Sequence, residues 1–185
     1  MDMTTNEDRL GWAWLRWVGW GGAVALVLAP LVAMRVAPDS GVNWSVGDFF
    51  FAILMIGGTG LLLELVVRKS PDWPYRGGAA LALATGFLLI WANLAVGYIG
   101  SEDNPYNGVF FLVVAVAVVG AFLGRFRSRG MARAMGAAAA AHAIAGGIGY
   151  PQDSRTGLIT ILFVGMWLVA AALFHVSARR WQPSS

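Results

Sequence analysis

One histidine from each of two helices can hold a b-type haem, and His142 and His175 are the two histidines of this chain. Read along helices that share one arginine-rich end, His142 lies about 16 Å in and His175 about 5 Å in. Axial ligands of one iron should be nearly level, so this placement argues against a shared haem. Ala138, four residues before His142, matches the small-residue-before-histidine spacing of pigment-binding helices, but within an alanine run that match carries little information. The expectation is a buried, hydrogen-bonded interhelical histidine and no cofactor, with a haem or pigment on His142 as the alternative.

Glu64 is the one carboxylate that falls within hydrocarbon, and Arg68 follows it at i, i+4 in the favoured order for a helical ion pair. The pairing partner is read as Arg68 or an arginine of the later basic cluster, and proton or cation coupling is the competing role. Asn93 is read as a buried polar contact to a neighbouring helix, or as a ligand group. The turn Glu102-Asp103-Asn104 offers hard oxygens that suit calcium or magnesium, although it lacks the twelve-residue calcium-loop pattern and Asn104-Pro105 is an ordinary turn signal. A cluster of Arg125, Arg127, Arg129 and Arg133 forms a basic rim.

Other chemistries are missing. No phosphate-binding loop, dinucleotide fingerprint, nucleophile elbow or zinc-protease motif occurs, and no pair of carboxylates lies deep in an apolar run. With no cysteine there is no disulfide, thiolate nucleophile or cysteine-held metal. The expectation is a protein that is not an enzyme.

The elements that position these residues follow from composition. Apolar residues make up 58% of 185 and charged residues 12%, against about 25% charged in a soluble domain. A polytopic all-α membrane protein is expected, as one domain over residues 1–185 with spans near 15–34, 48–67, 78–99, 108–124, 131–149 and 156–177. Trp12, Trp14, Trp17 and Trp20, interleaved with Arg9 and Arg16, read as an interfacial belt at the start of the first span. Arg9 and Arg16 before an apolar run resemble a secretory signal, but Asp2, Glu7 and Asp8 spoil it, so a retained helix is expected. Ser45 or Asp48 is placed to cap the second span. The Ala- and Gly-rich fifth span needs the middle of a bundle.

Charge sets the orientation. With the N-terminus inside, all but Arg35 and Arg155 of the 13 basic residues fall on the cytoplasmic side, and so does the C-terminus. Five spans would strand Arg179 and Arg180 outside. The basic excess therefore marks a membrane face and gives no reason to expect nucleic acid.

The strings Val42-Asn-Trp44, Gly47-Asp-Phe49, Glu64-Leu-Val66 with Arg68-Lys69, Trp91-Ala-Asn-Leu-Ala-Val-Gly97, Ile99-Gly-Ser-Glu-Asp-Asn-Pro105 and Arg125-Phe-Arg127 with Arg129-Gly-Met-Ala-Arg-Ala134 are distinctive. Together they resemble an uncharacterised family of small bacterial inner-membrane proteins, over roughly residues 20 to 145. The resemblance implies a bacterial inner membrane and brings no activity with it. The functional expectation is a structural or accessory subunit that associates through its helices with itself or a larger membrane complex, among membrane lipids. A small-molecule or ion transporter or sensor is the runner-up, and a tetrapyrrole-binding protein the third reading.

Overall fold

A computed structural model describes residues 4–70, 72–101 and 103–180, with 4–13, 15 and 69 described in backbone only. Six α-helices make up almost all of it: α1 Thr4–Val36, α2 Val46–Lys69, α3 Trp73–Ala95, α4 Gly108–Leu123, α5 Ser128–Gly149 and α6 Arg155–Arg180. No strand occurs among the described residues. The fold is that of a helical, multi-span membrane protein, with α1, α2, α3, α4 and α6 long and apolar enough to cross a bilayer. The remaining helix, α5, has the length, since 22 residues rise about 33 Å. Its alanines, glycines and two arginines leave it without a stretch as apolar as the spans of the other five.

α1 begins at Thr4, 11 residues before the expected span, and both ends of α3 differ from expectation for local reasons. The connector expected at residues 70–77 is helical from Trp73, because Pro74 in the first turn lacks the N–H that would go unpaired there and supplies the right φ. Arg76 then donates to the carbonyls of Ser70 and Val67, the second at 2.7 Å, satisfying the C-terminal end of α2. At its other end α3 stops at Ala95, not 99. Gly97 and Gly100 take positive φ there, and Asn107 Oδ1 accepts the N–H groups of Tyr98 and Ile99 at 3.1 and 2.7 Å, in place of helical carbonyls.

The chain divides into two compact units, Met1–Glu64 and Leu65–Ser185. In the first, Ser45 and Asp48 close a reciprocal cap on α2: Asp48 Oδ2 accepts from Ser45 N and Oγ at 2.7 and 2.8 Å, and Asp48 N donates to Ser45 Oγ at 3.3 Å. All described side chains of α1 are exposed or half-buried.

The second unit is a four-helix bundle. α5 packs against α4 and α6, and α3 packs against α6 and α4. Leu89, Phe110, Trp167 and Phe174 are buried at its centre. Small residues let the backbones close: a Cβ on Gly124 would stand 2.7 Å from Gly130 Cα, and one on Gly120 would stand 2.7 Å from Ala134 Cβ. The Gly120-x-x-x-Gly124 spacing is thus the seam between α4 and α5.

Candidate functional site

The bundle buries one connected polar network. Tyr98, beyond the end of α3, lies 2.9 Å by its hydroxyl from Nε2 of His142 on α5 and 3.3 Å from Thr160 Oγ1 on α6. Aromatic rings enclose it: Phe163 stacks on His142 at 5.4 Å with 15° between planes, Phe110 lies 5.4 Å from the imidazole, and Tyr98 stacks on Phe110 at 3.8 Å. Gly146 makes room for this arrangement, because a Cβ there would collide with the Thr160 side chain.

The tyrosine hydroxyl has one proton and donates it to Thr160 Oγ1, so it accepts from a protonated His142 Nε2. His142 Nδ1 is buried without a partner among the described residues. Asn93 Oδ1, Thr156 Oγ1 and Trp167 Nε1 share that condition in the same bundle. Asn93 Nδ2 donates to Leu89 O of its own helix at 2.7 Å, so its amide nitrogen bonds within α3 and not across to the neighbour expected from sequence.

His175 lies apart, exposed and 15 positions beyond Thr160 on α6, about 22 Å along the helix. The two histidines are not brought together. His142 has its Nε2 at a tyrosine and its ring stacked on phenylalanine, which leaves Nδ1 as its one ring nitrogen without a described partner.

Glu64 meets partners from α1. The Arg16 guanidinium pairs with its Oε1, and Trp20 Nε1 donates to Oε2 at 3.1 Å. The Glu64 side chain is only 16% exposed, while Arg16 is 55% exposed and keeps its charged end accessible. Arg16 is therefore the partner that sequence spacing did not name, and Trp20 is a hydrogen-bond donor as well as an interfacial ring. Gly60 accommodates the indole, whose Cη2 lies 3.4 Å from where a glycine Cβ would be.

The acidic turn has other uses for its oxygens. Asn104 Oδ1 caps Tyr106 N at 3.0 Å, and Asn107 Nδ2 donates to Ser101 O at 2.7 Å. Asp153, from the α5–α6 loop, accepts from Gly100 N at 3.3 Å and from Arg155 N at 2.9 Å. Asp103 is exposed, and Glu102 lies outside the described residues. No group of three metal-ligating side chains forms among the described residues. Asn107 is the organising residue of this end, and its place one position before α4 was the available signal.

Arg125, Arg127, Arg129 and Arg133 are all exposed. Their turn is pinned from beneath, Tyr75 Oη donating to Phe126 O at 2.7 Å and Ser128 Oγ sharing a 2.8 Å bond with Ser177 Oγ. A scan against protein-family models, a search of curated proteins and a search of solved structures each return no match.

Proposed function

We propose that this chain is a non-enzymatic, multi-pass accessory protein of a bacterial inner membrane, which associates through its helices with itself or with a larger membrane complex. One contrast carries the reading. In the bundle, Gly120, Gly124, Gly130, Gly146 and Gly149 each lie against a neighbouring atom closer than a Cβ would tolerate. In the first unit, Gly19, Gly21, Gly22, Gly57 and Gly58 meet nothing described within 4 Å, and no described glycine there stands as close to a neighbour as those five. Gly108, Gly136, Gly147 and Gly165 of the bundle also meet nothing described within 4 Å. Glycine inside a helix costs about 1 kcal/mol relative to alanine, and in lipid its compensation is close approach of another backbone. Glycines that close no contact inside their own unit are the surface on which a further helix gains most. The resemblance to small inner-membrane proteins supports the same location.

A transporter or sensor is the second reading, supported by the unpartnered buried polar atoms of the bundle, His142 Nδ1 among them. Purification in mild detergent at native abundance, with mass measurement and partner identification, separates the two. The accessory reading expects a particle heavier than one chain, which shifts to monomer in a Gly57→Leu, Gly58→Leu variant. A lone monomer carrying one equivalent of a small ligand would overturn it in favour of transport or sensing.

A further inference from the structure

The four arginines of the α4–α5 turn form no ion pair with any described residue. The first turn of α5 holds no acidic residue either, although the helix N-terminus carries partial positive charge of its own. Exposed charge of this density attracts an external anion.

The turn is held in one shape. Arg125 and Phe126 sit at φ of 53° and 55°, a conformation rarely adopted by residues with side chains. Phe126 N donates to Ala121 O at 3.0 Å, and Phe126 O is held by Tyr75. Arg129 and Arg133 are one helical turn apart on α5, so their guanidinium groups can reach a common anion.

Apolar side chains continue directly from the charges. Leu123 and Phe122, in the last turn of α4, are 79% and 65% exposed, and Phe122 forms an edge-on pair with Phe126 at 5.1 Å. A ligand that fits both parts has a phosphate at one end and hydrocarbon at the other. Soluble acidic proteins would use the arginines but not the leucine and phenylalanines at acyl depth. We propose that the α4–α5 turn is a binding site for the headgroup of an anionic phospholipid, with arginine forks on the phosphate and Phe122 and Leu123 against its acyl chains. The site rests on the chain lying in a bilayer, but not on its having protein partners.

The test titrates phosphatidylglycerol into the full-length protein in detergent and counts retained lipid by native mass spectrometry, with phosphatidylcholine and polyglutamate as comparison probes. Phosphatidylglycerol should be retained in preference to both. The Arg127→Gln, Arg129→Gln variant should bind it about thirtyfold more weakly, the value for two interfacial charges. Both arginines are exposed, so the variant's melting temperature without lipid should match the parent; if it does not, Arg133→Gln, one turn inside α5, replaces it. Equal retention of the two lipids, or unchanged binding by the variant, overturns the site. Polyglutamate binding as tightly as the lipid assigns the rim to an acidic protein instead. A chain that stays soluble without detergent refutes the membrane reading itself, a separate outcome.

Discussion

At the scale of single residues, Tyr98 ties the loop after α3 to two helices, meeting α5 through His142 and α6 through Thr160. Removing its hydroxyl leaves His142 Nε2 buried beside a carbon ring, with Nδ1 already unpartnered. Tyr98→Phe is therefore expected to destabilise the protein by about 1–3 kcal/mol, the cost of an unsatisfied buried polar group. Thermal unfolding in detergent checks this, and adding His142→Phe to the variant should restore part of the loss, because both polar partners are then gone. His142 was legible in sequence as a buried polar contact, being one hydrophilic residue inside an alanine run. Its partner was not. Placing the end of α3 at residue 99 made Tyr98 a helical residue, and only Gly97 and Gly100 at positive φ turn it back into the core. Glu64 shows a similar limit, because spacing along one helix favours Arg68 and is silent about Arg16, which sits 48 residues away.

At the scale of elements, the α4–α5 hairpin shows which glycines the fold requires. Gly124 and Gly130 face each other backbone to backbone, and neither helix can yield without opening the seam at Gly120 and Ala134. Gly136, also on α5, meets nothing described within 4 Å. Gly130→Ala should therefore lower the melting temperature markedly, by an overpacking cost of about 1–3 kcal/mol. Gly136→Ala should leave it unchanged or raise it, since alanine gains up to about 1 kcal/mol of helix propensity. Equal responses of the two variants in the same unfolding assay would show that the seam is looser than this. Hydropathy made the apolar spans legible, because a spanning helix leaves a long apolar run, but it did not show that α1 begins as early as Thr4. It could not rank the glycines, which look alike until their neighbours are known.

At the scale of the whole molecule, the question is whether α5, the one long helix without a span-like apolar stretch, crosses the membrane. Two sets of bonds fix the ends between which it runs in the bundle. At one end Ser128, which begins α5, bonds to Ser177 near the end of α6, and Asp72 lies 3.8 Å from Arg180. At the other, the loop after α3 bonds to the loop after α5 through Gly100 and Asp153. α5 runs between these two ends for about 33 Å beside α4 and α6, two helices that are hydropathic enough to insert alone. The basic residues then gather at the Ser128 end, which the positive-inside rule assigns to the cytoplasm. The prediction is that single cysteines at Arg127 and Arg179 stay unlabelled by an impermeant thiol reagent in cells with a permeabilised outer membrane, while one at Ser101 is labelled. All three positions are exposed, and the chain has no cysteine of its own to interfere. Labelling of Arg127→Cys but not Ser101→Cys would invert the orientation. Labelling of Arg179→Cys together with Ser101→Cys, with Arg127→Cys protected, would mean that α5 does not cross and that the bundle's two ends do not correspond to the two faces of the membrane.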